Sequence, residues 1–286
     1  LWYSKTNEKL LDYKISKTFY SLEETNEIKL DIVIITNPSC YHVETANYFL
    51  KKKIHCLIEK PLDSTYDKSL TIINNHDCCL EIGYLLRHSK LFEILLDYEK
   101  YIGKLLSIKI NVGQYLPTWR NKDYKESVSS HKNMGGGVLL ELSHDINYLL
   151  GILKNRENYQ IKSFLGKVSD LEIDVEDFCN IIMRVNMEDN SQINVNLNLD
   201  MIDFNSNRTC KLIGENGTLV VDFVNKQANL FTKDNKNITL IDNLDENLLQ
   251  KYFENFLNRI KINDYSNSSI NDAIDALKII DIIKNN

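Results

Sequence analysis

Four consecutive β-branched aliphatic residues, Ile32-Val33-Ile34-Ile35, set inside the run Leu30 to Thr36, constrain this chain more than any other feature. Such a run has no polar face. A strand made from it must be covered on both sides, which is the situation of a parallel strand between helices. The run stops at Asn37-Pro38-Ser39, a turn signal. A helical pattern follows, with Val43, Ala46, Phe49 and Leu50 on one stripe. Ile54 to Ile58 reads as a second short strand and ends at Glu59-Lys60-Pro61. A second helix is expected from Ser64 to Asn75 with Ser64 as its N-cap, then a third strand from Cys79 to Gly83. Strand, helix, strand, helix, strand implies right-handed crossovers and a parallel sheet.

The texture changes after that. A helix is expected from His88 to Tyr101 and an alternating strand from Lys104 to Val112. A long polar loop, 113–134, leads to Gly135-Gly136-Gly137, and a helix from Val138 to Leu150 follows. Period-two segments come next, at 159–168, 177–187, 192–199, 208–213 and 218–223. Their spacing predicts one large, mainly antiparallel sheet. Glu215-Asn216-Gly217 marks a tight turn between two of them. Helices near 245–262 and 271–284 close the chain. The fold class is therefore α/β: a Rossmann-type parallel sheet over residues 1–84, followed by an α+β domain over 85–286.

The chain has 286 residues and a formal net charge of -6. That balance argues against nucleic acid or an anionic membrane as partner, since both select basic faces. No apolar stretch is long enough to span a bilayer, and the start does not read as a signal peptide. None of the six cysteines forms a C-x-x-C pair, and most lie in apolar runs, as expected for reduced, buried thiols in the cytoplasm. No metal site is expected, because Glu141-x-x-His144 offers two ligands and no third stands at usual spacing.

Several residues have the chemistry of a site, each with a plainer alternative. Lys60 ends a predicted parallel strand, at the edge where open α/β sheets bind ligands. The following proline confines it to extended backbone. Its ammonium can exchange protons with a substrate hydroxyl or simply be a solvated turn lysine. Glu141, His144, Asp145 and Tyr148 stand at helical spacing on one face. They form either a proton relay that grips hydroxyls or the wet side of an amphipathic helix. The three glycines admit close backbone approach at a helix start. Tyr84 and Arg87 lie at another strand-to-helix junction, where Arg87 could clamp an anion. Tyr115, Trp119 and Arg120 could stack on a sugar or base, or close the loop's own small core.

Taken in order, Thr36-Asn37-Pro38 with His42, Glu59-Lys60-Pro61, Gly83-Tyr84 with Arg87, the glycine triplet and His144 resemble the Gfo/Idh/MocA family of glucose–fructose oxidoreductase and inositol dehydrogenase relatives. Val175-Glu176-Asp177, and Arg208 before Gly214-Glu215-Asn216-Gly217-Thr218, are similar to its C-terminal domain. The resemblance implies an NAD(P)-dependent oxidoreductase moving a hydride to or from a sugar, sugar nucleotide or cyclitol. Lys60 and His144 would handle the proton, with Glu141 and Asp145 beside them. It implies cofactor contacts from Thr36, Asn37, Pro38, His42, Glu59, Lys60 and Pro61. Substrate contacts would come from Tyr84, Arg87, Trp119, Arg120, His144 and Tyr148.

Set against that family, the chain begins at the tail of a second strand, so the first strand, the G-x-G-x-x-G loop and the first helix are expected to precede Leu1. Ser4 and Lys5 then fall where an acidic residue would select NAD, and a Ser-Lys pair leans toward NADP. The family's Asp four residues before its histidine is replaced by Leu140, with Glu141 three before. The resemblance further implies oligomer contacts through the large sheet and a final helix, about 271–286, that returns to the nucleotide domain. A ligand-sensing protein that keeps the fold without catalysis is the alternative reading.

Overall fold

A computed structural model describes residues 19–73 and 77–285. The first unit is a three-stranded parallel sheet in the order β1 (Ile32–Ile35), β2 (His55–Ile58), β3 (Leu80–Ile82). Helix α1 (His42–Leu50) connects β1 to β2, and α2 (Tyr66–Ser69) lies between β2 and β3. The apolar stripe read from the sequence is the buried side of α1, with Val43, Ala46, Phe49 and Leu50 all 3 % exposed or less.

Helices α3 (Lys90–Leu96) and α4 (Glu99–Ile102) lead into β4 (Leu105–Gly113). After the long loop come α5 (Val138–Glu141), α6 (Ser143–Ile152) and seven further strands: β5 (Arg156–Gly166), β6 (Phe178–Met187), β7 (Gln192–Asp200), β8 (Asn207–Gly214), β9 (Gly217–Asp222), β10 (Gln227–Thr232) and β11 (Asn237–Ile241). Together with β4 they form an eight-stranded sheet in the order β11-β10-β9-β8-β4-β7-β6-β5. Only the β4–β7 pair is parallel. One face is a continuous core in which Ile108, Ile110, Val112, Ile181, Val195, Leu197, Cys210 and Leu212 are buried. Helix α5 lies on β6 and β7, and α3 and α4 lie on β9 and β10. The other face is open and rich in amides, with Asn180 opposite Asn198 and Ile182 opposite Asn196.

The two closing helices do not stay with the large sheet. Helix α7 (Leu248–Lys261) puts Tyr252 and Phe256 on Leu57 and Cys79 of the small sheet. Burying each ring stabilises by roughly 1.5–3 kcal/mol. Arg259 of α7 pairs with Glu81 of β3. Helix α8 (Ser268–Asn285) packs against β3 and α2 on one side and against α6 and β5 on the other.

Four expected elements need correction. The second helix is only Tyr66–Ser69, and its cap is Thr65, whose side chain accepts from Lys68 N. Ser64 instead donates to Asp63 Oδ1 (2.7 Å from its backbone N). The expected 88–101 helix is a 3-10 turn, Leu85–His88, then α3 capped by Ser89, then α4. The helix after the glycines breaks at Leu142, where Asp145 N donates to Leu142 O and tightens the turn. Finally β10 and β11 were not expected. Both are short, and the left-handed Asn235 turns the chain between them.

Candidate active site

Loops at the C-terminal ends of β1, β2 and β3 meet the start of α6. Lys60 leaves β2 through a cis bond to Pro61. Its side chain is 17 % exposed and lies 3.6 Å from Glu141 Oε2. The ammonium also donates to the Glu141 carbonyl at 2.6 Å. A lysine from the small sheet is thus held by the last residue of α5.

Three residues on, His144 stands edge-on to the Tyr84 ring, centroids 5.6 Å apart. Burial, then the charges of Lys60 and Arg208, hold the imidazole well below its ordinary range. His144 is therefore neutral in neutral water and able to accept a proton. Burial also pushes the Tyr84 phenol up, opposed by the Ser143 hydroxyl and Arg87.

The glycine triplet explains why the helix can come so close. A Cβ on Gly136 would meet the Val128 carbonyl at 2.5 Å, and one on Gly137 would meet the Glu176 carboxylate at 2.5 Å. Gly137 also holds φ at 106°, a region that favours glycine. Glu176 pairs at 3.6 Å with Lys284 of α8.

The four polar residues expected to share a helix face do not share an environment. Glu141 and His144 are half-buried, but Asp145 and Tyr148 are fully buried. The wet-face reading does not survive this. Asp145 pairs at 3.4 Å with Arg208, a residue of β8. Burial raises the Asp145 carboxyl, and Arg208 opposes the rise. His144 Nδ1 and both amide atoms of Asn147 are buried without a hydrogen-bond partner.

The other candidates are dispersed. Arg87 is engaged by Asp272 of α8, so it ties that helix to the end of β3. Trp119 and Arg120 line a separate cleft of about 300 Å³ with Tyr124, Glu126 and Ser129. That cleft backs onto the glycines, since Gly137 N donates to the Ser129 carbonyl at 3.2 Å. Thr36 is exposed, Pro38 and Glu59 are half-buried, and Pro61 is buried. Glu59 Oε2 accepts from Lys60 N at 3.2 Å. Asn37 donates from Nδ2 to Thr45 Oγ1 at 3.0 Å, while its Oδ1 is buried without a partner. His42 is 1 % exposed, with its ring turned toward the Pro61 and Asn37 carbonyls. Ser4 and Lys5 lie outside the described residues. Among the described residues no group of three His, Cys, Asp or Glu side chains converges as metal ligands do, and no helix is long and apolar enough to cross a membrane.

Sequence reasoning did not assign Arg208, Asn147 or Asp272 to the site. Arg208 is 63 positions from Asp145 along the chain, and only the register of β8 against β4 brings it under α6.

A family model described as "Oxidoreductase family, NAD-binding Rossmann fold" matches residues 5–82. No curated protein sequence matches the chain. Among solved structures, levoglucosan dehydrogenase in complex with NADH is similar, with a TM-score of 0.78 at 17 % identity over 94 % of this chain and 81 % of that one. UDP-N-acetylglucosamine 3-dehydrogenase from Acidithiobacillus ferrooxidans follows with a TM-score of 0.73 at 16 % identity over 94 % and 82 %. Biliverdin reductase from Synechocystis sp. PCC 6803, in complex with biliverdin and NADP+, has 0.73 at 14 % over 94 % and 83 %.

Proposed function

We propose that the chain is a Gfo/Idh/MocA-type oxidoreductase, the family whose NAD-binding Rossmann model matches residues 5–82, and that it oxidises or reduces a CH–OH carbon of a sugar, sugar nucleotide or cyclitol. The observation that carries this is Lys60, fixed by Glu141 at a strand-end edge beside a neutral His144. A bound NAD or NADP supplies the hydride chemistry. The orphan acceptor Asn37 Oδ1 fits an amide donor such as the nicotinamide carboxamide offers, with Thr36, Pro38, Glu59 and Pro61 around it. Ser4 and Lys5 are our candidates for the ribose end, with NADP slightly favoured.

The work of the chain is to position the substrate and move one proton. In the oxidation direction the Lys60 ammonium donates a hydrogen bond to the substrate oxygen. The hydroxyl proton passes to His144, which burial and two cations hold in the neutral form before the transfer. Glu141 aims Lys60. Asp145 and Tyr148 act from beneath the helix through His144, since neither reaches open space. Tyr84 packs the imidazole in place. Trp119 and Arg120 take a part of the substrate remote from the reacting carbon, and Arg87 acts through α8. The open amide-rich face of the large sheet, with Phe164 and Ile182 exposed, is our candidate for a homo-oligomer contact. The free cysteines fit a cytoplasmic location.

Replacing Lys60 with Ala should leave NADPH binding within about twofold and lower turnover by at least about 100-fold, assayed over free hexoses, UDP-sugars and myo-inositol. Unchanged turnover would remove Lys60 from the chemistry. No turnover in the unaltered protein with any of these, alongside ligand binding, would favour a sensor. The biliverdin reductase neighbour makes substrate class the first thing to test.

A further inference from the structure

His42, the first residue of α1, sits between two loops. Its Nδ1 is 2.7 Å from the Pro61 carbonyl oxygen, and its Nε2 is 2.7 Å from the Asn37 carbonyl oxygen. The first carbonyl belongs to the loop after β2 and the second to the loop after β1. These are the loops that carry Lys60 and Asn37. We propose that His42 is a positioning residue, tying the two strand-end loops together so that Asn37 and Lys60 face one ligand space. The catalytic part of this rests on the role proposed for Lys60. The tie itself rests on the ring geometry alone.

Carbonyl oxygens only accept, so each of these contacts needs a ring N–H. A neutral imidazole has one N–H and makes one of the two bonds. The imidazolium has two and makes both. The tie therefore doubles when the ring takes a second proton. The charged groups that face the ring are Asp63 and Glu59, both from the loop after β2. Asp63 is 1 % exposed and is itself fixed by Val43 N, Ser64 N and the Ser64 hydroxyl. Burial lowers the ring's hold on the second proton. The two carbonyls and the two carboxylates oppose that, and the net position is below the ordinary 6.5. The double tie thus forms on the acid side of 6.5.

The test is amide exchange in the full chain, with rates corrected for intrinsic pH dependence. The N–H groups of Tyr41 and Glu59, bonded to the Pro38 and Ile35 carbonyls, report the two loops. The strand amides between β1 and β2 serve as control. In the unaltered protein, loop exchange should slow relative to the strands on acidification below 6.5. Side-chain 15N spectra should show His42 going from one protonated ring nitrogen to two over the same interval. His42→Gln offers one donor group at every pH, so loop exchange should match the unaltered protein above 6.5, exceed it by about 10-fold on the acid side, and lose its pH dependence. His42→Ala should raise it further. Equal acceleration of loops and strands, or a single ring N–H throughout, would overturn the proposal. If His42→Ala does not fold, His42→Gln decides the matter. Should Lys60→Ala leave turnover intact while the exchange result holds, the catalytic reading fails and the tie stands.

Discussion

Two buried polar clusters flank the site, and they are built in opposite ways. Around α1, the Asp63 carboxylate accepts from two backbone N–H groups and a hydroxyl, and each ring nitrogen of His42 faces a carbonyl, one of them bonded in the neutral ring and both in the imidazolium. Around α6, His144 and Asn147 carry buried polar atoms that have no hydrogen-bond partner. Unpaired buried polar groups are costly, so a fold keeps them where something polar is to be received. The first cluster is scaffold. The second lies beneath His144, the residue proposed to take the substrate proton.

The sharpest way to break this contrast is to cut the scaffold. Asp63→Ala strands three donors at once and should lower unfolding free energy by about 3 kcal/mol, measured by urea denaturation. A loss below about 1 kcal/mol would mean the cluster is not structural. Next is Arg208→Met, which leaves buried Asp145 with only the weaker influence of Lys60. The carboxyl is already raised by burial, so it takes up a proton, and the cost should be about 2 kcal/mol.

Acid titration sharpens the same point through His88. Burial, then Arg87, Lys251 and Arg259, lower its pKa to about 4. A folded-state value below the unfolded one means stability is full above 6.5 and is lost as pH falls through about 4. His88→Asn should flatten that loss, about 3 kcal/mol at roughly 1.4 kcal/mol per pKa unit, in thermal melts recorded across the interval. In the second cluster, Asn147→Ala should cost under about 1 kcal/mol, because its amide has no partner to lose, yet lower turnover several-fold. A large stability loss with unchanged turnover would reverse the assignment of the two clusters. The smallest stability effect belongs to Ile182→Asp on the open sheet face, within about 0.5 kcal/mol, with sedimentation showing whether self-association is lost.

The strands were readable because burial on both faces, or on alternate residues, leaves a local pattern. The large sheet's alternation carries it plainly, whereas the run Ile32 to Ile35 is buried only at Ile35 and leaves Ile34 52 % exposed, so the expected cover on both faces is not present among the described residues. The hairpin of β10 and β11 does not carry the pattern, because both strands are short. Helix lengths were over-read, since the stripe in residues 88–101 does not reveal the break at Asp97 and Tyr98. In the site, Lys60, Glu141 and His144 were found from local order. The sequence could not reveal which side of α6 is covered. That depends on Arg208 and Cys210 of β8 reaching beneath it, and a helical wheel contains no such neighbour. His42 was expected to touch the cofactor, and only its 1 % exposure shows that it faces inward.

The return of α7 and α8 to the small sheet has a consequence for how the chain is made. Ile82 N meets Ser269 Oγ, Arg87 meets Asp272, and Glu81 meets Arg259, each pair separated by nearly two hundred residues. The ribosome releases the three parallel strands long before it releases the helices that cover them. Through the whole synthesis of the large sheet, Leu57 and Cys79 have no lid. Partly made chains therefore expose the apolar face of the nucleotide-binding unit, and this is the interval in which a chaperone would have most to hold.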